Sequence, residues 1–388
     1  MQTSRPKVLF LTAWYPHKYD AMAGLFVRKH AEAISRKADV CVLYLHLGSE
    51  VERFSIEHNT YGEIREIKVY MPLLSTTIGR TVAFIRGFIR GYKLVCKSFG
   101  KPDITQVNTL TRNGVLALWL KITRKIPYII VEHCSRYLRE NPLYKGFMRK
   151  RATEIVARRA ERVFTVSQML QNAMKNYRIK ARYDILYNVV DDFFFFDREK
   201  EFILPSKPRV VHISCFDDKA KNISGILRAI KILSLKRNDF EFVFIGTGVD
   251  FNELKRFLHT LGLEPDRVRF VGEQTPEQVA EWLAGSTCSV VFSRYETACV
   301  ALMESLAAGV PVVATPTGIA PEFVDRQSGV VVPSSDEAKL AEAIGFLLDN
   351  KNMFDKIQIS RKAQQFRAEA ISDKLYSCYH NILSRDDI

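Results

Sequence analysis

The sequence lacks several features that would place it in other classes of protein. It has no apolar run near the ~20 residues that a helix needs to cross a bilayer. Its first residues, MQTSRPKVLFLTAWYPHK, lack the apolar core and the small-residue cleavage site of a signal peptide. Its seven cysteines are scattered and never spaced as C-x-x-C. These absences favour a reduced, cytoplasmic chain without a structural zinc.

Two motifs of cofactor and metal sites are also missing. No G-x-G-x-x-G follows the first strand of either half, which argues against a nicotinamide dehydrogenase. No D-x-D follows a predicted strand, and the pairs Asp191-Asp192 and Asp217-Asp218 lie in turns, where carboxylates usually cap helices. We therefore expect neither a metal nor a cofactor.

Acidic residues are scarce in the first half of the chain. Residues 1–200 hold 35 Lys and Arg against 18 Asp and Glu, a net charge of +17, whereas residues 201–388 hold 22 against 25, a net charge of −3. Such asymmetry suggests that the first half faces an anionic surface. A solvated basic surface without a partner is the alternative. No nucleic-acid-binding module is recognisable, so we expect no nucleic acid partner.

Apolar segments of strand length alternate with amphipathic segments of helix length throughout the chain. The alternation begins at 7–13 and restarts at 209–215, after a Pro-containing stretch at 203–209. It predicts an α/β protein with two doubly wound, Rossmann-like domains facing a central cleft. We predict domains at 1–200 and 201–370, and a helix within 371–388 that crosses back to the first domain. The aromatic run FFFF at 193–196 is interpreted as interdomain packing.

Two glutamates, Glu296 and Glu304, stand eight positions apart around the start of a predicted helix, 300–308. The preceding strand ends at Ser293, which places Glu296 in a loop at the cleft. Free N–H groups at a helix amino end favour anions and hydroxyl oxygens, and a carboxylate can accept from both hydroxyls of a vicinal diol. The alternative is a capping role for Glu296 and a solvated position for Glu304. An acid on an otherwise apolar helix is costly unless it is paired or functional.

The segment SRYETACVALMES at 293–305 resembles the E-x7-E motif of the family 4 glycosyltransferases. Other stretches in the expected order are similar to that family's motifs: Gly24, EHCS at 132–135, FTVS at 164–167, YNVVD at 187–191, and Gly318 with Glu322. The resemblance implies the GT-B fold of two Rossmann-like domains. It also implies that residues 1–200 bind the acceptor and residues 201–370 bind a nucleotide-sugar donor.

The resemblance further implies a role for individual residues. Glu296 would orient the donor sugar, Glu304 would hold the ribose hydroxyls, and Gly24 would approach the phosphates. Thr297, Ala298 and Cys299 would donate backbone N–H groups to the sugar.

The remaining implied roles concern the diphosphate and the reacting sugar. His133 would lie near the donor sugar and the acceptor hydroxyl, with a buried structural histidine as the alternative. Lys221 fits the family's diphosphate lysine, with a solvated loop lysine as the alternative. Cys215 stands where the family has an arginine, which leaves Lys219 or the backbone to complete the clamp. We thus predict His133, Glu296 and Lys221 as catalytic.

A predicted helix at 78–97 combines a basic stripe with an apolar stripe. Its spacing puts Arg86, Arg90, Lys93 and Lys97 on one stripe and Ile78, Val82, Ile85 and Ile89 on an adjacent stripe. Basic amphipathic helices of this kind lie at anionic membrane surfaces. We predict that this helix forms a membrane or acceptor face. The alternative is that the apolar stripe packs on the sheet and the cations are solvated.

The resemblance implies a retaining hexosyltransferase, and the lack of a D-x-D after a predicted strand favours catalysis without a metal. The enzyme would move a sugar from a nucleotide-sugar to a glycan or polyprenyl-diphosphate-linked acceptor, in bacterial surface polysaccharide or lipopolysaccharide synthesis. We expect a cytoplasmic enzyme, with peripheral association at the inner face of the membrane as an option. The alternatives are a sugar-nucleotide epimerase of the same fold and a non-catalytic relative.

Overall fold

A computed structural model of the protein describes residues 5–110, 112–197, 205–263 and 267–384. The first half of the chain alternates strands and helices as follows: β1 (Lys7–Thr12), α1 (Leu25–Ser35), β2 (Asp39–Gly48), β3 (Ser55–Tyr61), β4 (Ile64–Pro72), α2 (Thr77–Ser98), β5 (Ile104–Asn108), α3 (Arg112–Arg124), β6 (Tyr128–Glu132), α4 (Phe147–Arg159), β7 (Arg162–Thr165), α5 (Gln168–Asn176) and β8 (Tyr183–Ile185). These strands form one sheet in the order β3-β4-β2-β1-β5-β6-β7-β8.

The second half repeats the alternation: β9 (Arg209–Ile213), α6 (Asp218–Lys221), α7 (Ile223–Ser234), β10 (Glu241–Ile245), α8 (Phe251–Thr260), β11 (Val268–Gly272), α9 (Pro276–Ala284), β12 (Cys288–Val291), α10 (Val300–Ala307), β13 (Val312–Ala314), α11 (Ala320–Phe323), β14 (Gly329–Val331), α12 (Glu337–Asp349), α13 (Lys356–Lys362) and α14 (Ala368–Leu383). Its sheet has the order β11-β10-β9-β12-β13-β14, and all of its described strand pairs are parallel. The predicted boundary between residues 200 and 201, and residues 203–204 of the predicted linker, lie outside the described residues.

One edge of the first sheet differs from the prediction of parallel strands alone. β3, which the sequence did not reveal, pairs antiparallel with β4 through a two-residue turn in which Gly62 has φ 55°. The sequence of β3, SIEHNTY, is mostly polar, because an edge strand can leave much of its surface in water. Its weak apolar pattern explains why it escaped prediction.

The first sheet carries an apolar core on each face. Leu9 and Leu11 of β1 join the core under α2, α3, α4 and α5, whereas Val8 and Phe10 join the core under α1. The alternation follows from the two-residue period of a strand. The final helix, α14, packs on α1 and adds Tyr379 to the second of these cores. Helix α14 thus lies on the first sheet, on the face opposite α2.

The aromatic run at 193–196 does not pack between the domains as interpreted. Phe194 and Phe195 are buried in the core of the second half, and the N–H of Phe196 donates to the carbonyl oxygen of Ala307 at 2.8 Å. The physical reason is that the chain has already reached the second half at this point. Phe193 remains partly exposed.

Candidate active site

Loops at the carboxyl ends of the two sheets meet across the cleft. Ser167, which follows β7, donates its hydroxyl to the carbonyl oxygen of Thr297, which follows β12, at 2.5 Å. The Glu322 carboxylate accepts from the backbone N–H of Gln168 and from the hydroxyl of Tyr187, both at 2.9 Å. These contacts place the loop that contains Glu296, the first glutamate of the E-x7-E motif, directly against the first half.

Glu296 and Lys221 form an ion pair within this loop region. The Lys221 Nζ lies 2.5 Å from the Glu296 Oε1, and the Ser293 hydroxyl donates to the same oxygen at 3.0 Å. Burial opposes the charge on Lys221, but the neighbouring Glu296 carboxylate more than offsets it and raises the pKa of the lysine above its ordinary value. The structure therefore brings two predicted catalytic residues, 75 positions apart, into one charged pair.

Arg294 fixes the loop that carries Lys221. Its guanidinium donates to the carbonyl oxygen of Asp218 and, at 2.5 Å, to the side-chain oxygen of Asn222, and its backbone N–H donates to the carbonyl oxygen of Ala220 at 2.7 Å. Sequence reasoning did not single out this arginine, because its partners lie more than 70 positions earlier in the chain. By holding the residues on either side of Lys221, Arg294 positions that lysine for its ion pair with Glu296.

The adjacent aspartates of this loop serve the local backbone. Asp217 caps α6, and the Asp218 carboxylate accepts from both the N–H and the hydroxyl of Ser224 at 2.7 Å. Across the described ranges, no group of three or more His, Cys, Asp or Glu side chains is arranged to hold a metal ion. The capping interpretation of Asp217-Asp218 agrees with these contacts.

Glu304 lies half-buried in α10 with its carboxylate unpaired: no hydrogen bond to it is formed within the described part of the chain. Burial raises the pKa of Glu304 to about 7, with Lys29 lowering it and Asp191 raising it. Lys29 itself pairs with Asp191 at 2.7 Å. An unpaired carboxylate with perturbed pKa in a cleft is typical of a binding site, because a ligand can supply the missing donors.

The backbone between the two glutamates offers free donors. The N–H groups of Thr297, Ala298 and Cys299 reach no acceptor among the residues that the structure describes. Cys299 has φ 73°, which turns the chain into the start of α10. Gly318 packs closely against this loop, because a Cβ at position 318 would lie only 2.5 Å from the Ala298 carbonyl oxygen. We call residues 297–299, with their three unpaired N–H groups, the cradle.

Gly24 and His133 both lie in connections that leave the carboxyl ends of strands in the first sheet, β1 and β6. Gly24 has φ 64°, and a Cβ there would lie 2.4 Å from the backbone of Trp14, so only glycine fits this turn before α1. His133 follows β6 and is buried, and its Nε2 has no partner within the described ranges. Burial, with a smaller effect of His30, holds the pKa of His133 well below its usual range. The imidazole is therefore neutral near pH 7.

Glu132 is a further site residue that the sequence did not single out. Its fully buried carboxylate accepts from the backbone N–H groups of Leu110 at 2.8 Å, His133 at 3.0 Å and Cys134 at 2.8 Å. It thereby ties the loop after β5 to His133 in the loop after β6. Burial raises the pKa of Glu132, and the three N–H groups partly offset that rise. A lone acid ending an apolar strand, YIIVE, was the available signal.

Lys219 and Cys215 do not join the ion pair. Both are exposed, and Lys219 lines a cavity of about 480 Å³ together with Arg294 and Tyr295. In the described part of the chain, Lys221 is the cation in contact with Glu296. The position that an arginine occupies in the resembled motif thus holds an exposed thiol, that of Cys215.

The predicted basic helix, α2, exposes both of its stripes. Its four cations, Arg86, Arg90, Lys93 and Lys97, are exposed. Its apolar stripe is exposed as well, from 40% for Val82 to 79% for Ile78. A different set of residues faces the sheet: Phe84, Gly87, Phe88, Gly91, Tyr92 and Val95. The alternative in which the apolar stripe packs on the sheet is therefore wrong.

Two family models match the two halves of the chain. The model described as Glycosyltransferase Family 4 matches residues 23–192, and the model described as Glycosyl transferases group 1 matches residues 194–366. This chain belongs to the family 4 glycosyltransferases. The resemblance stated from the sequence is confirmed.

Curated relatives of this glycosyltransferase match over part of its length. It is 32% identical to N-acetyl-alpha-D-glucosaminyl L-malate synthase of Bacillus anthracis over 223 residues, which cover 54% of this chain and 56% of that protein. It is 24% identical to alpha-D-kanosaminyltransferase of Streptomyces kanamyceticus over 279 residues, 66% of this chain and 71% of that protein. The match to the Bacillus protein thus spans less than two thirds of that relative.

Solved structures share the fold over the whole glycosyltransferase. Sucrose-phosphate synthase from Thermosynechococcus elongatus has a TM-score of 0.78 at 18% identity, covering 98% of this chain and 100% of that one. Anabaena HepE in complex with UDP has a TM-score of 0.73 at 17% identity, covering 97% and 100%. The predicted fold class, two doubly wound domains of the GT-B type, is confirmed. Within the described ranges no helix is long and apolar enough to span a membrane.

Proposed function

We propose that this glycosyltransferase transfers a sugar, with retention of anomeric configuration, from a nucleotide-sugar to a glycan or lipid-linked glycan acceptor. The observation that carries the proposal is the unpaired Glu304 carboxylate on the helix that begins at the free N–H groups of residues 297–299. Together they offer the acceptor oxygens and the donors that a ribose and a hexose require. The names of relatives in lipopolysaccharide core synthesis support a role in bacterial surface polysaccharide synthesis.

The donor would lie with its ribose at Glu304 and its sugar at the cradle of residues 297–299. The structures of HepE with UDP and with UDP-glucose support a nucleotide-sugar donor. The diphosphate would lie between Lys221 and the turn at Gly24, where absence of a Cβ leaves room for close approach. The base would contact the segment 272–275.

Departure of the diphosphate is the step that the site must assist. Negative charge develops on the leaving phosphate, and a fixed ammonium stabilises it without reorganisation. Lys221 meets that need because Glu296 keeps it charged despite burial. We therefore propose transfer without a metal. The neutral His133, with its free Nε2, would hydrogen-bond the sugar or the acceptor hydroxyl.

We propose front-face attack by the acceptor, which retains configuration without a protein nucleophile. Glu296 is held by Lys221 and by Ser293 through the same oxygen, which lowers its availability as a nucleophile. The departing phosphate would take the proton of the incoming hydroxyl. No observation favours the sugar-nucleotide epimerase.

We also propose peripheral association with an anionic membrane through α2. The exposed cations and the exposed apolar stripe of that helix suit a bilayer surface, where aliphatic side chains enter the headgroup region and cations stay among the phosphates. The enzyme would then act at the cytoplasmic face of the membrane.

Thermal unfolding with a panel of nucleotide-sugars, without metal, tests the donor site. Ligand at a hundredfold excess over its dissociation constant stabilises the folded state by about 2.7 kcal/mol. We expect stabilisation by one nucleotide series and a smaller effect for Glu304→Ala. Glu277→Ala, an exposed glutamate on α9, is the matched control and should respond like the parent protein. No shift with any nucleotide-sugar would refute a working donor site.

A further inference from the structure

Three consecutive helices of the first half are almost free of acidic residues. α2, α3 and α4 together hold thirteen Lys and Arg residues and a single acid, Glu154, which pairs with Arg151 at 3.0 Å. A solvated helix layer normally interleaves both signs of charge, because like charges repel one another. The positive charge of the first half is thus concentrated on this layer.

The three helices lie side by side on one face of the first sheet. The rings of Phe88 on α2 and Trp119 on α3 are 6.0 Å apart and edge-on. A Cβ added to Gly114 on α3 would lie 2.8 Å from the side chain of Val156 on α4. All three helices bury residues in the same core. Their outward sides therefore form one continuous surface, which we call the docking face.

Large apolar side chains are exposed across the docking face. They occur on every helix of the layer: Ile78, Val82, Ile85, Ile89, Val115, Trp119, Ile122, Phe147, Met148 and Ile155. Exposed apolar residues are normal when they are scattered singly, but a contiguous set marks an interaction surface. The most exposed lie at the start of α4, where Phe147 is 75% and Met148 79% exposed, next to Leu143 at 59%.

We propose that the docking face binds an anionic lipid bilayer, with residues 143–148 inserted below the headgroups. Aliphatic and aromatic side chains mixed with cations match a surface that is apolar inside and negatively charged outside. The membrane contact thus extends beyond α2 to α3 and α4, and residues 143–148 are the segment that enters the bilayer.

The chain just before the inserted segment lines the cleft. Leu138, Glu140 and Pro142 line a cavity of about 780 Å³, whose other walls include Gln168 on α5 and Glu322 across the cleft. A lipid-anchored acceptor that leaves the bilayer beside Leu143 would therefore reach this cavity at once, because Pro142, the preceding residue, lines it. This part of the inference rests on the proposed function and assigns the acceptor to the lipid-linked class.

Two other partners fit the docking face less well. A second copy of this chain would bring two strongly basic surfaces together, which Coulomb repulsion opposes. Nucleic acid would match the charge, but it would leave the exposed aliphatic side chains in contact with water or phosphate. Both remain as outcomes of the experiment.

Quenching of tryptophan fluorescence by brominated lipids tests the orientation directly. The chain has three tryptophans, and Trp119 is the one that lies on the docking face. With vesicles of phosphatidylglycerol and brominated phosphatidylcholine, we expect quenching in the parent protein and its loss in Trp119→Phe. Quenching that survives in Trp119→Phe would overturn the proposed orientation.

Vesicle sedimentation with paired variants tests the inserted segment. Phe147→Ser combined with Met148→Ser should weaken binding to anionic vesicles at least tenfold. The control pair Leu235→Ser and Val249→Ser changes residues of similar exposure, 76% and 89%, in the second half and should bind as the parent does. Equal binding by both variants, or tighter binding to a DNA duplex than to vesicles, would overturn the proposal. Concentration-dependent dimerisation lost in the Phe147–Met148 variant would overturn it too.

Measurements of the donor site separate this inference from the proposed function. The Phe147–Met148 variant should keep the parent's thermal shift with nucleotide-sugar, because both residues lie outside the donor site. Loss of vesicle binding with an intact shift supports the docking face. A parent protein that binds vesicles but no nucleotide-sugar would refute the proposed function and leave the docking face standing.

Discussion

Replacing Glu304 by glutamine should change the pH dependence of stability in a direction that the structure fixes. Burial raises the pKa of this carboxyl from an ordinary 4.5 to about 7 in the folded protein. Between these values the folded state binds more protons than the unfolded state, so the free energy of unfolding falls as pH rises through the window. Each unit of pKa difference corresponds to about 1.4 kcal/mol.

The full effect is at most about 3 kcal/mol, and the half-buried position of Glu304 reduces it because water screens the charge. Glutamine has nearly the same shape but does not ionise, so Glu304→Gln should be close to the parent in stability near pH 5 and more stable at pH 8. Urea unfolding at the two pH values measures the difference. Glu277→Gln serves as the exposed control.

Donor binding should show the opposite trend. The ionised carboxylate accepts from both ribose hydroxyls, so nucleotide affinity should rise as pH climbs through about 7, where the folded protein is losing stability. Calorimetric titration with the nucleotide identified by thermal shift provides the measurement. The reasoning is refuted if parent and Glu304→Gln differ in stability by the same amount at pH 5 and pH 8, or if nucleotide affinity falls with pH.

Three further substitutions test other parts of the site. Lys221→Met should lower kcat by about a hundredfold or more, because it removes the cation proposed to stabilise the leaving phosphate, and a steady-state assay with excess donor would show it. Glu132→Gln should place an amide NH2 group opposite the Leu110 N–H, where the parent has an accepting carboxylate oxygen. We expect the free energy of unfolding, measured in urea, to fall by about 1–3 kcal/mol, and the Leu110 amide hydrogen to exchange faster. Gly318→Ala should lower the melting temperature and weaken donor binding together, since its Cβ would press on the cradle carbonyl at 2.5 Å.

The sequence was sufficient to predict elements whose cause is local. Strand β1 and helix α10 follow from apolar patterns, and a capping box of Thr275 and Gln278 with Pro276 marks the start of α9. The loop bearing Glu296 was predictable because it follows an apolar strand. These features depend on neighbours within one or two turns of the chain.

The rest depends on distant partners and could not be predicted. The pairing of Lys221 with Glu296, the clamp made by Arg294, and the three backbone donors at Glu132 each join segments that only the fold brings together. The face of α2 was ambiguous for a related reason. That helix carries two apolar stripes. Two of its three glycines, Gly87 and Gly91, let the phenylalanine stripe approach the sheet and leave the isoleucines outside.

The two faces of the first sheet are covered differently. The docking face lies on one side, and α14 packs on the other side through the core that contains Tyr379. The returning helix therefore leaves the docking face uncovered. The crossing points between the halves lie near Val190, whose N–H donates to the Phe366 carbonyl oxygen at 2.9 Å, and Asp192, which pairs with Arg367. If the first half is held on a bilayer, opening of the cleft would move the second half about these two crossing points. The proposed donor site and the Glu322 wall of the cavity would then move away from the first-half wall.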